Sequence, residues 1–252
     1  MFWWQVDESF RADLDAIGLG CFEALMDEPV GELLVKGKEL RQLRRISISQ
    51  NGQTRHLFLK RIGREPIGIL LRMLVFGRKP CSGPLREKML IDSLTKAGIP
   101  VMRSLAWGEE RKYCLPVKGF LLVEGVKGTD LATLYSSSTS SERLLLMEGF
   151  GRFVGRLHRK GFFQVVRLKD VFCEYIDNKY SFVLIDRETS KPWVSIFLKR
   201  RCINSLARAY RRTLRDGYSF TREENKGFIR HYLNEINDKH LSSKRICKEI
   251  AS

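Results

Sequence analysis

The sequence predicts an α+β fold in two lobes. A small antiparallel sheet with one main helix comes first, and a mostly helical half follows. Three observations carry this. Short apolar runs of strand type crowd the stretch from Glu32 to Glu124. Helical patterning dominates after Gly125. Within that helical half, one apolar run, Phe182–Ile185, leads into a lone acid, Asp186, and a polar turn. A buried strand ending in a carboxylate can hold a divalent cation against phosphates, because the strand fixes the oxygens and the loop leaves them open. By itself, such an ending is more often a plain strand-to-turn boundary.

A chain of 252 residues, 43% of them hydrophobic, has material for one large domain or for two lobes around a cleft. Lysine and arginine number 45 against 29 acids, a net charge of +16. That excess favours an anionic partner, whether nucleic acid, anionic lipid or a phosphorylated substrate, and charge alone does not choose among them. No run of roughly 18 uncharged apolar residues suggests a membrane-spanning helix. The start, MFWWQVDESF, carries acids early and no basic stretch, so the expected location is the cytoplasm. Six cysteines lie far apart without a CxxC pair, and the four histidines are scattered. They predict buried thiols rather than a metal cluster or a disulfide framework. No GxSxG supports hydrolase chemistry.

Residues 1–28 read as an amphipathic strand or helix on the body, with Trp3, Trp4, Phe10, Leu14 and Ile17 set among acids. Glu32–Lys36, Arg44–Ser49 and His56–Lys60 read as short strands, the last two joined by the hairpin signal Asn51-Gly52. Lys60 alternates with Phe58, so both point to one face of that sheet. Arg64–Pro80 has helical spacing at Ile67, Leu70, Leu71 and Leu74, with Arg64, Arg72, Arg78 and Lys79 around it. It reads either as a buried helix or as a segment lying on an anionic membrane surface. Pro84–Ala97 is a helix started by proline and ended by Gly98, with Leu85, Met89 and Leu94 as its stripe and Glu87 in its first turns. Residues 119–124 form another apolar strand, and the lobes divide there, into residues 1–124 and 125–252.

In the second lobe Thr139 and Glu142 have capping-box spacing. The helix they start runs to about Lys160, buried through Leu146, Phe150, Phe153, Val154 and Leu157. Its glycines 149, 151 and 155 either weaken it or admit a neighbouring helix closely. After the strand at 182–185 the chain is helical again. Arg201, Arg208, Arg212 and Arg215 share one face there, and Ile203, Leu206, Tyr210 and Leu214 line another. Such a basic amphipathic helix is either a solvated surface or an anion-binding face.

These parts fall in the order of a protein-kinase-like fold. Phosphoryl transfer needs positioning and charge neutralisation above all. A lysine on the small sheet (Lys60) can bind nucleotide phosphates, and a helix glutamate (Glu87) can hold it. The hinge backbone at Glu124–Val126 can meet the adenine, and Asp186 can bring magnesium.

The sequence further resembles the lipopolysaccharide kinase (Kdo/WaaP) family. FLKR around Lys60, the stretch LRMLVFGRKPCSGPLREKMLIDSLTKAGIPVMRSLAWGE, the hinge GFLLVEGVKGTDL, the strand VLIDRETSK and the C-terminal ARAYRRTLRDGYSFTREENKGFIRHYL carry the likeness. The resemblance covers roughly residues 30–235. It implies ATP-dependent phosphorylation of a heptose or Kdo sugar of the lipopolysaccharide inner core, at the cytoplasmic face of the inner membrane. It assigns Lys60 to the α- and β-phosphates, Glu87 to Lys60, Glu124 and Val126 to the adenine, and Asp186 to Mg²⁺. The implied partners are an anionic glycolipid substrate and the anionic membrane surface.

The chain departs from the family at the catalytic loop, where the expected His-x-Asp falls on Gln164, Val165 and Val166. Valine can neither accept a proton nor orient a hydroxyl. Asp170 is the acid left to act as base or as second metal ligand. A general base contributes about 10²–10⁴-fold, so a pseudokinase that binds nucleotide or glycolipid as a scaffold is the alternative reading. A basic nucleic-acid-binding protein ranks last, because no helix-turn-helix, zinc motif or aromatic–basic interleaving accompanies the charge.

Overall fold

The structure, a computed structural model, describes residues 1–37, 40–50, 53–176, 179–185 and 198–237, and Ile246. The chain divides into two compact units: Met1–Asp92 with Met102–Gly125, and Ser93–Val101 with Val126–Ser252. The segment 93–101 counts with the second unit because Pro100 accepts a hydrogen bond from the Leu184 N–H (3.1 Å) and Val101 forms a parallel bridge to Leu184.

The first unit holds a six-stranded antiparallel sheet. Its strands are β1 (Phe2–Val6), β2 (Glu32–Lys36), β3 (Gln42–Gln50), β4 (Gln53–Ile62), β5 (Ser104–Lys112) and β6 (Leu115–Glu124), in the order β1-β5-β6-β4-β3-β2. The predicted strands are all present; β2 has the predicted bounds, and β3, β4 and β6 extend beyond theirs. Gln50 pairs with Gln53 across the β3–β4 hairpin. Its turn residues Asn51 and Gly52, like the Asp177-Asn178 turn, lie outside the described residues. In β4, Leu57 and Leu59 are fully buried in a core with Ile46, Ile48, Leu105, Phe120 and Leu122. The short helices α1 (Arg11–Ala16) and α2 (Phe22–Met26) close that core through Leu14, Phe22 and Leu25. Alternation therefore sends Phe58 and Lys60 to the other face of the sheet. Next to Lys60, buried Arg61 donates to the carbonyls of Ala24, Leu25 and Glu28, tying the C-terminal end of α2 to β4. Burial lowers its guanidinium pKa to about 10.

Two further helices belong to the loop between β4 and β5. In α3 (Ile67–Val75) only Leu70 is buried, while Ile67, Leu71, Leu74 and Val75 are each more than half exposed. Of the two readings of this segment, burial is therefore the one that fails. In α4 (Gly83–Lys96) the helix forms as expected, but its stripe differs. Leu90, Ile91 and Leu94 are buried and Met89 is exposed, because the helix packs through the i, i+1, i+4 set rather than through Leu85 and Met89.

The second unit is built on α5 (Leu131–Ser137), α6 (Ser140–Arg159), α7 (Leu198–Arg215) and α8 (Arg222–Ile236), with a small sheet β7 (Thr129–Asp130), β8 (Val171–Ile176) and β9 (Lys179–Leu184). Thr139 and Glu142 form the full capping box expected of them. The α6 glycines serve close approach: a Cβ on Gly151 would stand 2.4 Å from the Phe228 carbonyl of α8, and one on Gly155 would stand 2.8 Å from that of Tyr232. In α7, of the residues on the apolar face, Ile203 and Leu206 are buried, whereas Leu214 is exposed.

Candidate active site

In the first unit, Lys60 Nζ donates to Glu87 Oε1 at 2.6 Å. The sequence separates them by 27 residues, and β4 and α4 bring them together. Both are partly shielded, with side chains 24% and 13% exposed. The α4 start is held by carboxylates that complement its N-terminal partial charge. The Ser82 N–H donates to Glu109 Oε2 at 2.7 Å. The Gly83 N–H donates to the fully buried Glu65, which also pairs with Arg86 at 3.2 Å. Arg111 neutralises Glu109 from β5. These contacts fix the helix end that carries Glu87. Sequence reasoning gave no role to Glu65, Arg86 or Arg111. Glu109 was visible only as the last residue of AWGE, and its partner lies 27 residues away.

At the end of β6 the backbone is partly spoken for. The Glu124 N–H bonds to the Arg103 carbonyl and the Gly125 N–H to the His56 carbonyl. The Glu124 carboxylate pairs with Arg55. The side chain is thus bound within the first unit.

In the second unit the loop after α6 is pinned at several points. Gln164, Val165 and Val166, the positions matching the family's catalytic loop, are all buried. Ser205 Oγ donates to the Gln164 carbonyl at 2.7 Å. That hydroxyl has one proton, so at His158 Nε2 (3.2 Å) it accepts. Nε2 then carries the hydrogen, and Nδ1 accepts from the Tyr232 hydroxyl at 2.8 Å. Burial lowers the His158 pKa to about 3, so it stays neutral.

Asp170 is buried in a 3-10 turn, Leu168–Asp170. Arg167 donates to both of its carboxylate oxygens, Nη2 to Oδ1 at 2.8 Å and Nε to Oδ2 at 3.0 Å, and the Arg167 N–H adds a third bond. The Asp170 carbonyl accepts from the Ile185 N–H at 3.1 Å. This places the loop acid beside the end of β9, one residue before Asp186. Asp186 itself lies outside the described residues.

Within the first unit Lys60 meets Glu87, and within the second the Asp170 backbone meets Ile185 at the end of β9. Comparison with known proteins decides what this order of parts belongs to. The sequence model of the lipopolysaccharide kinase (Kdo/WaaP) family matches residues 27–232, well over half of the chain. The chain belongs to that family. A search among curated proteins finds no match. Among solved structures, WaaP in complex with acyl carrier protein is similar over 99% of this chain and 93% of its own, with 20% identity and a TM-score of 0.67. A type VIII aminoglycoside-3'-phosphotransferase is similar over 95% of this chain and 97% of its own, with 15% identity and a TM-score of 0.52. These likenesses establish the kinase-like fold of this Kdo/WaaP family member. Its family places it among the lipopolysaccharide-core kinases. Among the described residues, no helix is long and apolar enough to cross a membrane.

Proposed function

We propose that this protein transfers the γ-phosphoryl group of ATP to a hydroxyl of an inner-core sugar, heptose or Kdo, of lipopolysaccharide. The observation that carries the proposal is the Lys60–Glu87 pair, at 2.6 Å on a central strand and a braced helix. The donor set suits a nucleotide. An ammonium held by a carboxylate can meet phosphate oxygens, and the Val126 N–H, which bonds to no backbone carbonyl among the described residues, suits an adenine edge.

Lys60 then binds the α- and β-phosphates, Glu87 holds its ammonium in place, and the Glu124–Val126 backbone orients the base. Asp186, and Asp170 after giving up an Arg167 contact, would hold Mg²⁺, which neutralises charge on the phosphates when bound. Asp170 is also the acid we assign to the acceptor hydroxyl proton, since Val166 has no basic atom.

The acceptor is an anionic glycolipid, and the protein meets the cytoplasmic face of the inner membrane peripherally. The exposed apolar face of α3, with Arg64, Arg72, Arg78 and Lys79 around it, supports this contact. Trp3 lies under Lys79 at 5.3 Å and adds an interfacial aromatic. Leu71→Gln with Leu74→Gln should release the protein from anionic vesicles in flotation, and unchanged flotation would sink the membrane contact.

The nucleotide reading is tested by thermal unfolding of the full chain with ATP and magnesium. A ligand that binds only the folded state raises the melting temperature. The expected result is a magnesium-dependent rise in the wild type that Lys60→Ala and Asp186→Ala abolish. No rise in the wild type would overturn the reading. A rise without turnover on core lipopolysaccharide would favour the scaffold alternative.

A further inference from the structure

Helix α7 ends in a cluster that the phosphoryl-transfer site does not use. Arg208, Arg211, Arg212 and Arg215, with Leu214 among them, line a concavity of about 610 Å³. Their spacing, i, i+3, i+4 and i+7, sets them along one side of the helix, over an axial span of about 10 Å. Arg208, Arg211 and Arg215 are exposed. None of those three forms an ion pair or hydrogen bond with a described residue. The adjacent acid, Asp216, is already taken by Lys169 at 2.9 Å and by Arg167 at 3.7 Å.

Like charges three and four residues apart oppose helix formation. Attraction to the C-terminal helix dipole offsets this for Arg212 and Arg215, which lie in the last turn. It does not reach Arg208 and Arg211. Leu214 borders this arc of arginines and is exposed. Guanidinium forks match phosphate oxygens in pairs, and an apolar side chain among them fits a ligand whose phosphates stand next to hydrocarbon.

We propose that this arginine cluster binds the phosphate groups of a phosphorylated glycolipid head group, as a second anchor for the acceptor apart from the nucleotide site. The proposal rests on the lipid-acceptor reading above. The length of the cluster suits two or more phosphates better than one. The exposed Leu214 argues for a lipid over a nucleic acid, whose phosphates face water.

The test uses the full chain and vesicles of neutral phosphatidylcholine. One set is doped with a bisphosphorylated lipid A, and a second with phosphatidylglycerol at equal charge. The variant Arg208→Gln/Arg211→Gln/Arg215→Gln should bind the lipid A vesicles on the order of 100-fold more weakly, as the loss of charge-assisted hydrogen bonds to phosphate implies, and should lose less on phosphatidylglycerol. Its magnesium-ATP thermal shift should match the wild type. The all-lysine variant should recover only part of the binding, because ammonium lacks the fork. Since all three residues are exposed, folding is checked by the melting temperature, and the single variant Arg211→Gln should still lose several-fold. Unchanged lipid A binding in both glutamine variants would overturn the proposal. So would an equal loss on phosphatidylglycerol, which would mean a general membrane face, and so would competition by DNA but not by lipid A. Failure of the kinase reading looks different: the wild type would then bind lipid A vesicles and show no magnesium-ATP shift.

Discussion

Lys60 with Glu87 in the first unit and Arg167 with Asp170 in the second are both pairs of opposite charge, at 2.6 and 2.8 Å. They are made differently. The first joins residues 27 apart in the chain and exists only once β4 and α4 have packed, whereas the second joins residues three apart in a single turn. The lysine ammonium is a compact charge on a flexible stem, able to turn toward a new anion. The Arg167 fork closes on both oxygens of Asp170 and holds them in fixed geometry. The supports differ as well. Glu65 and Glu109 brace the start of the helix that carries Glu87, and so keep the lysine partner in place. In the second unit Asp216, 3.7 Å from Arg167, holds the arginine of the pair from behind. One half of the molecule thus presents its charged pair, and the other locks its pair in. A loop that carries valine at the expected base position has its remaining acid tied down.

Asp170→Asn tests whether that lock opens. Under the proposed chemistry, turnover on core lipopolysaccharide falls about 10²–10⁴-fold, while the magnesium-ATP thermal shift remains measurable because Lys60 and Glu87 are untouched. The variant also loses charge-assisted hydrogen bonds, at a cost of about 1–3 kcal/mol. Turnover must therefore be normalised to the folded fraction from urea unfolding. If normalised turnover is unchanged, Asp170 is a brace, and the two pairs differ as site and support.

The same contrast explains what could be read from the sequence. Lys60 and Glu87 were legible because strand alternation and a helix start are local patterns, and Thr139 with Glu142 was legible for the same reason. Glu65 and Glu109 were not, since nothing near either one says that it will meet the start of α4. The α6 glycines had two readings, and only the approach of α8 decides between them. The exposure of α3 and Leu214 was hidden likewise, because an amphipathic pattern tells that one face is apolar and not what covers it. The sequence marks Asp170 as a reactive acid, but the i, i+3 spacing of Arg167 is too common a pattern to mark the pair.

Acid should separate the two units further. His158 is buried neutral, with its ring between Tyr232 and Ser205, and burial lowers its pKa to about 3 from an ordinary 6.5. The unfolded chain therefore binds a proton more readily than the folded one. The stability contributed by keeping His158 neutral is fully present above pH 6.5 and is lost as pH falls toward 3, by roughly 5 kcal/mol at the limit. Lowering the pH should raise amide exchange in α6 and α7 before it does so in the first-unit sheet. His158→Gln keeps a donor and an acceptor but cannot titrate, so it should flatten this part of the stability–pH curve. An equally steep curve in that variant would place the acid sensitivity elsewhere.

The smallest effect is expected at Glu87. Glu87→Gln leaves an amide oxygen that can still accept from Lys60, and with the lysine side chain 24% exposed the lost charge attraction is worth about 0.5–1 kcal/mol of stability. Its weight falls on nucleotide instead. A lysine held less firmly meets the phosphates less often, and apparent affinity for magnesium-ATP should drop about tenfold, near 1.4 kcal/mol. Calorimetric titration beside a urea melt separates the two. A variant that loses stability and keeps its affinity would make Lys60–Glu87 a structural pair like Arg167–Asp170. The converse, a small change in melting with a clear loss of affinity, is what a pair assembled across 27 residues to meet a ligand should give.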